Sequence, residues 1–269
     1  MRFYTEIVDT EILKADTEQR EAADLGIEAA DRLLSKLGWK KEEIKVLIYG
    51  TQSPKFLTPS TASYIFKGLK LETDCVTYDI DLGAAAFQNG LQIVSLILES
   101  FGKGQRGLLL LGEDDRMGDL GLQQGQSAAA AIAMEAGNGS LNIWHRQYSE
   151  FYDKLYRKEK AEQLKNAVEP EDKEKLQVKI EAFCSECLSQ LEKDGKRAFI
   201  INDSTFCSEG LREKLAAMEI DMLPNPYDGG QAAVMVPFSL AEGSLTPYKY
   251  VSVCTISAGI TVSFADILL

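Results

Sequence analysis

Two cysteines three residues apart, in Cys184-Ser185-Glu186-Cys187, have the spacing of a metal-binding or thiol–disulfide pair. Such a pair needs partners: a second cysteine pair or histidines for a tetrahedral metal, or an exposed, activated thiolate for redox work. The chain offers neither in sequence. Cys75, Cys207 and Cys254 are dispersed, and His145 is the one histidine. The pair also lies inside the amphipathic stretch 173–193, where free cysteines serve as small buried apolar groups. A second set of chemically able side chains is Asn202, Asp203, Ser204 and Ser257. A serine attacks only when a base sits beside it. His145, next to Trp144, is far in sequence from these positions, so turn and capping roles are expected for them. His145 itself is expected to be a structural or surface residue.

The elements that must position these residues belong to a chain of 269 residues, 45% of them hydrophobic. That is enough for one large domain or two intimately packed halves. Forty-one acidic against 29 basic residues give a net charge of −12, which repels nucleic acid and anionic lipid. The basic cluster Lys154, Arg157, Lys158 and Lys160 is a local exception, either a patch for an acidic carrier protein or a solvated helix face. No apolar run approaches the ~20 residues of a membrane span, and the first residues lack the apolar core of a secretion signal. With an odd number of cysteines, a reduced, cytoplasmic setting is expected.

Residues 17–37 place apolar groups at helical spacing, with Thr17 as N-cap and Gly38 as the stop. Residues 44–50 form a short, continuous, β-branched run suited to a buried strand, 75–80 reads as another strand and 106–112 as a third, buried one. Helices are expected from Pro59 to Leu69 and over 85–101 between them. Residues 128–134 and 140–144 read as two adjacent strands, and 150–196 as charged and helical with a break near Pro170. The pattern then restarts with strand 197–202, helix 208–218, a turn at Asp228-Gly229-Gly230 and helix 231–241. Strands 248–257 and 260–269 close the chain about Ala258-Gly259. Strand–helix alternation repeated in the same order predicts an α/β fold with two similar halves, 1–145 and 146–269.

Between two of these elements, Val76-Thr77-Tyr78-Asp79-Ile80-Asp81-Leu82-Gly83-Ala84-Ala85-Ala86-Phe87 reads as a buried strand turning sharply into a buried helix. That elbow resembles the nucleophile-bearing turn of β-ketoacyl-acyl-carrier-protein synthase III and its thiolase-fold relatives. Further segments resemble the same family in the same order. They are the 22–37 helix with strand 44–50, the loop Thr51-Gln52-Ser53-Pro54 through Thr58-Pro59-Ser60-Thr61-Ala62, strand 107–113, Gly229-Gly230-Gln231-Ala232-Ala233 to Pro237, and Ser257-Ala258-Gly259-Ile260-Thr261. The resemblance covers most of the chain. It implies a thiolase-like five-layer α/β/α/β/α sandwich with two pseudo-symmetric halves.

The family's chemistry uses a cysteine at a helix N-terminus, whose thiolate takes the acyl group, and a histidine and an asparagine that stabilise the enolate and oxyanion. Those positions fall on Ala84, Asn202 and Gly230. None of the three positions keeps the family's residue. The joint loss points to a catalytically degenerate member rather than to a single trapping substitution. The resemblance further implies dimerisation through central strands, with the loop from Thr51 to Thr58 and Pro59 facing the partner and Phe87, Ser257 and Gly259 about the pocket. Neither cofactor nor metal is expected. The leading expectation is a non-catalytic subunit of a heteromeric condensing enzyme or acyltransferase of fatty-acid or polyketide-type biosynthesis. Its partner would be an intact synthase III-like paralogue, with acyl carrier protein or acyl-coenzyme A as further ligands. The alternatives are a homodimer that binds an acyl or small molecule in a retained pocket, and an acyltransferase whose nucleophile at Ala84 has been replaced by another group.

Overall fold

The computed structural model describes every residue except 16–19, 57, 73, 116–121, 123–124, 157–164 and 167. The apolar runs at 44–50 and 197–201 become strands whose alternate side chains enter different cores, whereas the strand at 76–80, expected to be buried, exposes Tyr78 and Asp79 because it lies at the edge of the sheet. In β2 (Ile44–Gly50), Leu47 and Tyr49 face one cluster while Val46 and Ile48 face another. In β8 (Arg197–Ile201), Ala198 and Ile200 point one way, Phe199 and Ile201 the other. Burial on both faces is what makes such strands apolar without interruption.

The first half runs β1 (Arg2–Lys14), α1 (Ala22–Leu37), β2, α2 (Thr61–Leu69), β3 (Val76–Ile80), α3 (Ala86–Phe101), β4 (Arg106–Asp115) and β5 (Gln126–Gln147). After a small hairpin of β6 (Leu155–Tyr156) and β7 (Lys165–Asn166), the second half follows. It runs α4 (Pro170–Ser189), β8, α5 (Glu209–Ala217), β9 (Ile220–Met222), α6 (Met235–Glu242), β10 (Tyr250–Ser257) and β11 (Thr261–Leu268). The strands of both halves join in one 9-stranded sheet of order β3-β2-β4-β5-β11-β10-β8-β9, with β1 on β5. Pairing repeats faithfully. β2 lies parallel to β3 and β4, and β8 parallel to β9 and β10; β4–β5 and β10–β11 are antiparallel. β1 closes the first set against β5, and the last residues of β5 close the second against β11.

Three apolar cores define five layers. α1 and α2 cover the outer face of the first half, α4 and α5 that of the second, and α3 with the Ala232–Phe238 segment fills the space between. The Cys184 and Cys187 side chains are buried in the α4/α5 core, as their amphipathic setting suggested.

Several sequence expectations require correction. Residues 126–147 form one 22-residue strand rather than two. β1 bends to follow it, with register irregularities at Phe3/Thr5 and Ile7/Asp9, so the glycines 137 and 139 do not end it. α1 begins at Ala22, whose N–H donates to the Asp114 carboxylate at 2.8 Å; Thr17 lies outside the described residues. α6 begins at Met235, four residues late, because 231–234 form a turn. Among the described residues of the charged stretch, helix occupies only Pro170–Ser189, apart from a short turn at Ser149–Phe151. Arg157, Lys158 and Lys160 lie outside the described residues, and Lys154 pairs with Asp172 at 3.1 Å. No described helix is long and apolar enough to cross a membrane.

Candidate functional site

The elbow forms where β3 leaves the sheet and Gly83 takes a left-handed φ of 53°. The chain then passes through a single 3-10 turn, Gly83–Ala85, into α3. A side chain at Gly83 is excluded by geometry as well as by φ. A Cβ there would lie 1.9 Å from Gln52 Nε2, 2.9 Å from Ser257 Oγ and 3.1 Å from the Gln231 carbonyl. Ala84, Ala85 and Ala86 are each fully buried. The helix N-terminus that would favour a thiolate therefore presents only a methyl group.

The other two positions meet directly. Asn202, at the end of β8, donates from Nδ2 to the Gly230 carbonyl at 3.1 Å and to the Ile256 carbonyl at 3.0 Å. Its Oδ1 accepts from the Ile256 N–H at 2.7 Å. The amide is thus fully engaged in tying β8 to β10 and to the 228–230 turn. Gly230 is enclosed too: a Cβ would meet Met235 Cγ at 2.7 Å and the Tyr227 carbonyl at 2.9 Å. Ser257 connects this group to the elbow, its Oγ donating to the Leu82 carbonyl at 2.5 Å.

Glu113 is the residue that sequence reasoning passed over. It is fully buried at the end of β4. Both its oxygens accept the Gln52 N–H, at 2.8 and 3.0 Å, and Oε2 accepts the Ser53 hydroxyl at 2.9 Å. Oε1 also accepts the Ala233 N–H at 3.3 Å. Burial pushes its carboxyl up to about 7, against the pull of these donors. The available clue was a carboxylate ending a four-leucine strand, where a charge needs a local set of donors.

The remaining predicted positions scatter. Thr51 is buried, with Oγ1 3.4 Å from Glu113, whereas Thr58 and Pro59 are exposed. Gly259 has φ 71° and sits in the β10–β11 turn. Phe87 lies in the central core and also lines a cavity of about 450 Å³ between β1, α6, β10 and β11, along with Ile7, Leu240 and Ile267. His145 bridges Ser263, 2.8 Å from Nδ1, and Gln92, 2.6 Å from Nε2. Burial lowers it to about 4, consistent with a neutral structural imidazole. The cysteines offer no substitute nucleophile at the elbow. Burial pushes the Cys75 thiol up to about 12 and raises Cys187 and Cys207, while contact with Cys254 and burial raise Cys184.

With this geometry in hand, the relatives can be placed. The solved 3-oxoacyl-(acyl-carrier protein) synthase from Burkholderia xenovorans superposes on 100% of this chain and 95% of its own, with TM-score 0.76 and 16% identity. The fold is thiolase-like. Cerulenin-bound OleA of Xanthomonas campestris gives TM-score 0.73 at 17% identity, over 100% of this chain and 98% of that one. In sequence, a 3-oxoacyl-[acyl-carrier-protein] synthase 3 of Campylobacter jejuni is 40% identical over 82 residues, which is 30% of this chain and 23% of that protein. The acyl-CoA:acyl-CoA alkyltransferase of Xanthomonas campestris is 34% identical over 79 residues, 29% of this chain and 23% of its own. The matches thus span about a quarter of these curated relatives, and no protein-family profile matches the chain. The solved structures share the fold of this chain, and a stretch of about 80 residues is similar in sequence to a synthase 3 protein.

Proposed function

We propose that this chain is a catalytically degenerate synthase III-like protein that acts as the non-catalytic partner of an intact paralogue in a condensing enzyme or acyltransferase. The observation that carries this reading is the elbow itself. A methyl group stands at the buried helix N-terminus where the family resemblance calls for a thiol, and a methyl cannot attack a thioester. The neighbouring geometry supports it: the Asn202 amide is committed to backbone groups and Gly230 has no space for a side chain. Association has a natural surface. β3 is an outer strand of the sheet, and Tyr78 on it is 54% exposed. An open strand edge is a template for pairing with another chain. The test is co-expression with an intact synthase III-like paralogue. A heteromer should be recovered, and its acyl-transfer activity should disappear when the paralogue's own cysteine is replaced. Recovery of homomers only, or activity in this chain alone, would overturn the reading.

A second reading, a homodimer that binds an acyl or other small apolar molecule, is favoured by the cavity beside Phe87. Its volume of about 450 Å³ and lining by Ile7, Ile132, Leu240 and Ile267 suit an aliphatic ligand. Native mass spectrometry with acyl-coenzyme A distinguishes the two: a bound mass on the isolated chain supports this reading, and its absence counts against it.

A further inference from the structure

Three groups converge on Gly83: the Gln52 carboxamide, the Ser257 hydroxyl and the Gln231 carbonyl. Ser257 and Gln231 are buried, whereas Gln52 is only half-buried. Of the three, Gln52 is the group that also reaches solvent. It is also held at both ends. Its backbone N–H is clamped by both oxygens of Glu113, and its Nε2 donates to the Gln231 carbonyl at 3.3 Å. The same Glu113 carboxylate binds Ser53 and Ala233, so it ties the loop after β2 to the turn before α6.

We propose that Gln52 is a built-in plug that closes this chain's elbow to an alkyl thioester, with Glu113 as the positioning residue that sets the plug. The inference rests on the elbow's being non-catalytic in this chain, and it adds a reason beyond the missing sulfur. Restoring a thiol at Ala84 would leave that thiol shielded, because entry requires the 51–53 loop to move. A half-buried amide anchored by one side-chain hydrogen bond and a buried carboxylate is a local barrier to opening, separate from global unfolding.

The test places a reporter thiol under the plug. Ala84→Cys and Ala84→Cys/Gln52→Ala proteins are treated with N-ethylmaleimide and with a long-chain alkyl maleimide, and alkylation at position 84 is followed by peptide mass spectrometry. The double variant should react about fivefold to tenfold faster, the factor expected from losing one hydrogen bond. Equal rates would overturn the proposal. Because a larger side chain at Ala84 has to fit a buried position, a second measurement uses the native elbow. Hydrogen exchange at Ala84–Ala86 should be faster in Gln52→Ala, and also in Glu113→Gln, than in the unaltered chain. Unchanged exchange in both would likewise overturn it. All arms use the isolated chain, so failure to form a heteromer with a paralogue leaves their outcome untouched.

Discussion

Glu113 is a carboxyl that the fold has removed from water while surrounding it with donors. Burial and, to a smaller extent, the like charge of Asp81 press against ionisation; the N–H groups of Gln52 and Ala233 and the Ser53 hydroxyl favour it. Burial wins, and the group rises from 4.5 to about 7. An acid whose folded value is raised stabilises the fold fully below its unfolded value and loses that contribution as pH climbs through the folded one. The affected window is pH 4.5 to about 7, and the full span is worth about 3 kcal/mol. Denaturant titrations at pH 5 and pH 8 should therefore show lower stability at the higher pH from this group, and Glu113→Gln should flatten that difference. A slope unchanged in the variant would show that other groups set it. This residue also marks where sequence reading ran out. Ala84, Asn202 and Gly230 were assigned by the family resemblance, which a turn, a strand end and a glycine pair locate along the chain. Glu113, Gln52 and Gln231 work through contacts between segments 61 to 179 residues apart, which local pattern does not encode.

At the level of elements, the strands and helices with a clear period were legible, and those set by partners were not. β2, β4, β8 and β10 are apolar runs buried on both faces, so their presence followed from composition, although β4 runs on to Asp115 and β10 begins at Tyr250. β1 alternates acids with apolar residues along an outer position, and its identity depends on β5 beside it. The start of α1 is set by the Asp114 carboxylate rather than by a local N-cap. The second half contains one further tertiary device. Arg197 on β8 meets Asp266 on β11 through two contacts, at 2.8 and 3.2 Å, with both side chains buried, and Ser252 Oγ donates to the same carboxylate at 2.6 Å. Breaking a buried pair from one side strands the other charge. Asp266→Ala should lower stability by about 3–5 kcal/mol in thermal or denaturant unfolding. A loss below about 1 kcal/mol would mean that the pair is solvated in solution.

Over the whole molecule, the repeated pairing of strands accounts for the five layers, and it leaves the β3 edge open. If this edge carries association, a charge in its middle should block pairing without unfolding the chain, since Tyr78 is exposed and supports no core. Tyr78→Lys should shift sedimentation toward monomer, or abolish recovery with a paralogue, while leaving the melting temperature within a few degrees. Intact assembly in that variant would locate the contact elsewhere. The general architecture was legible because repetition of element order survives even where residue identity does not. The sharing of one strand between both halves was not, because the residues at its centre look like a turn.

That shared strand has a mechanical meaning. β5 is a single rail that carries β4 along residues 126–135 and β11 along 141–147, with β1 paired beside both stretches, so the halves cannot hinge apart without bending one continuous strand and breaking its ladder. Motion between the halves is thereby confined to small displacements of the surface connections around a continuous sheet.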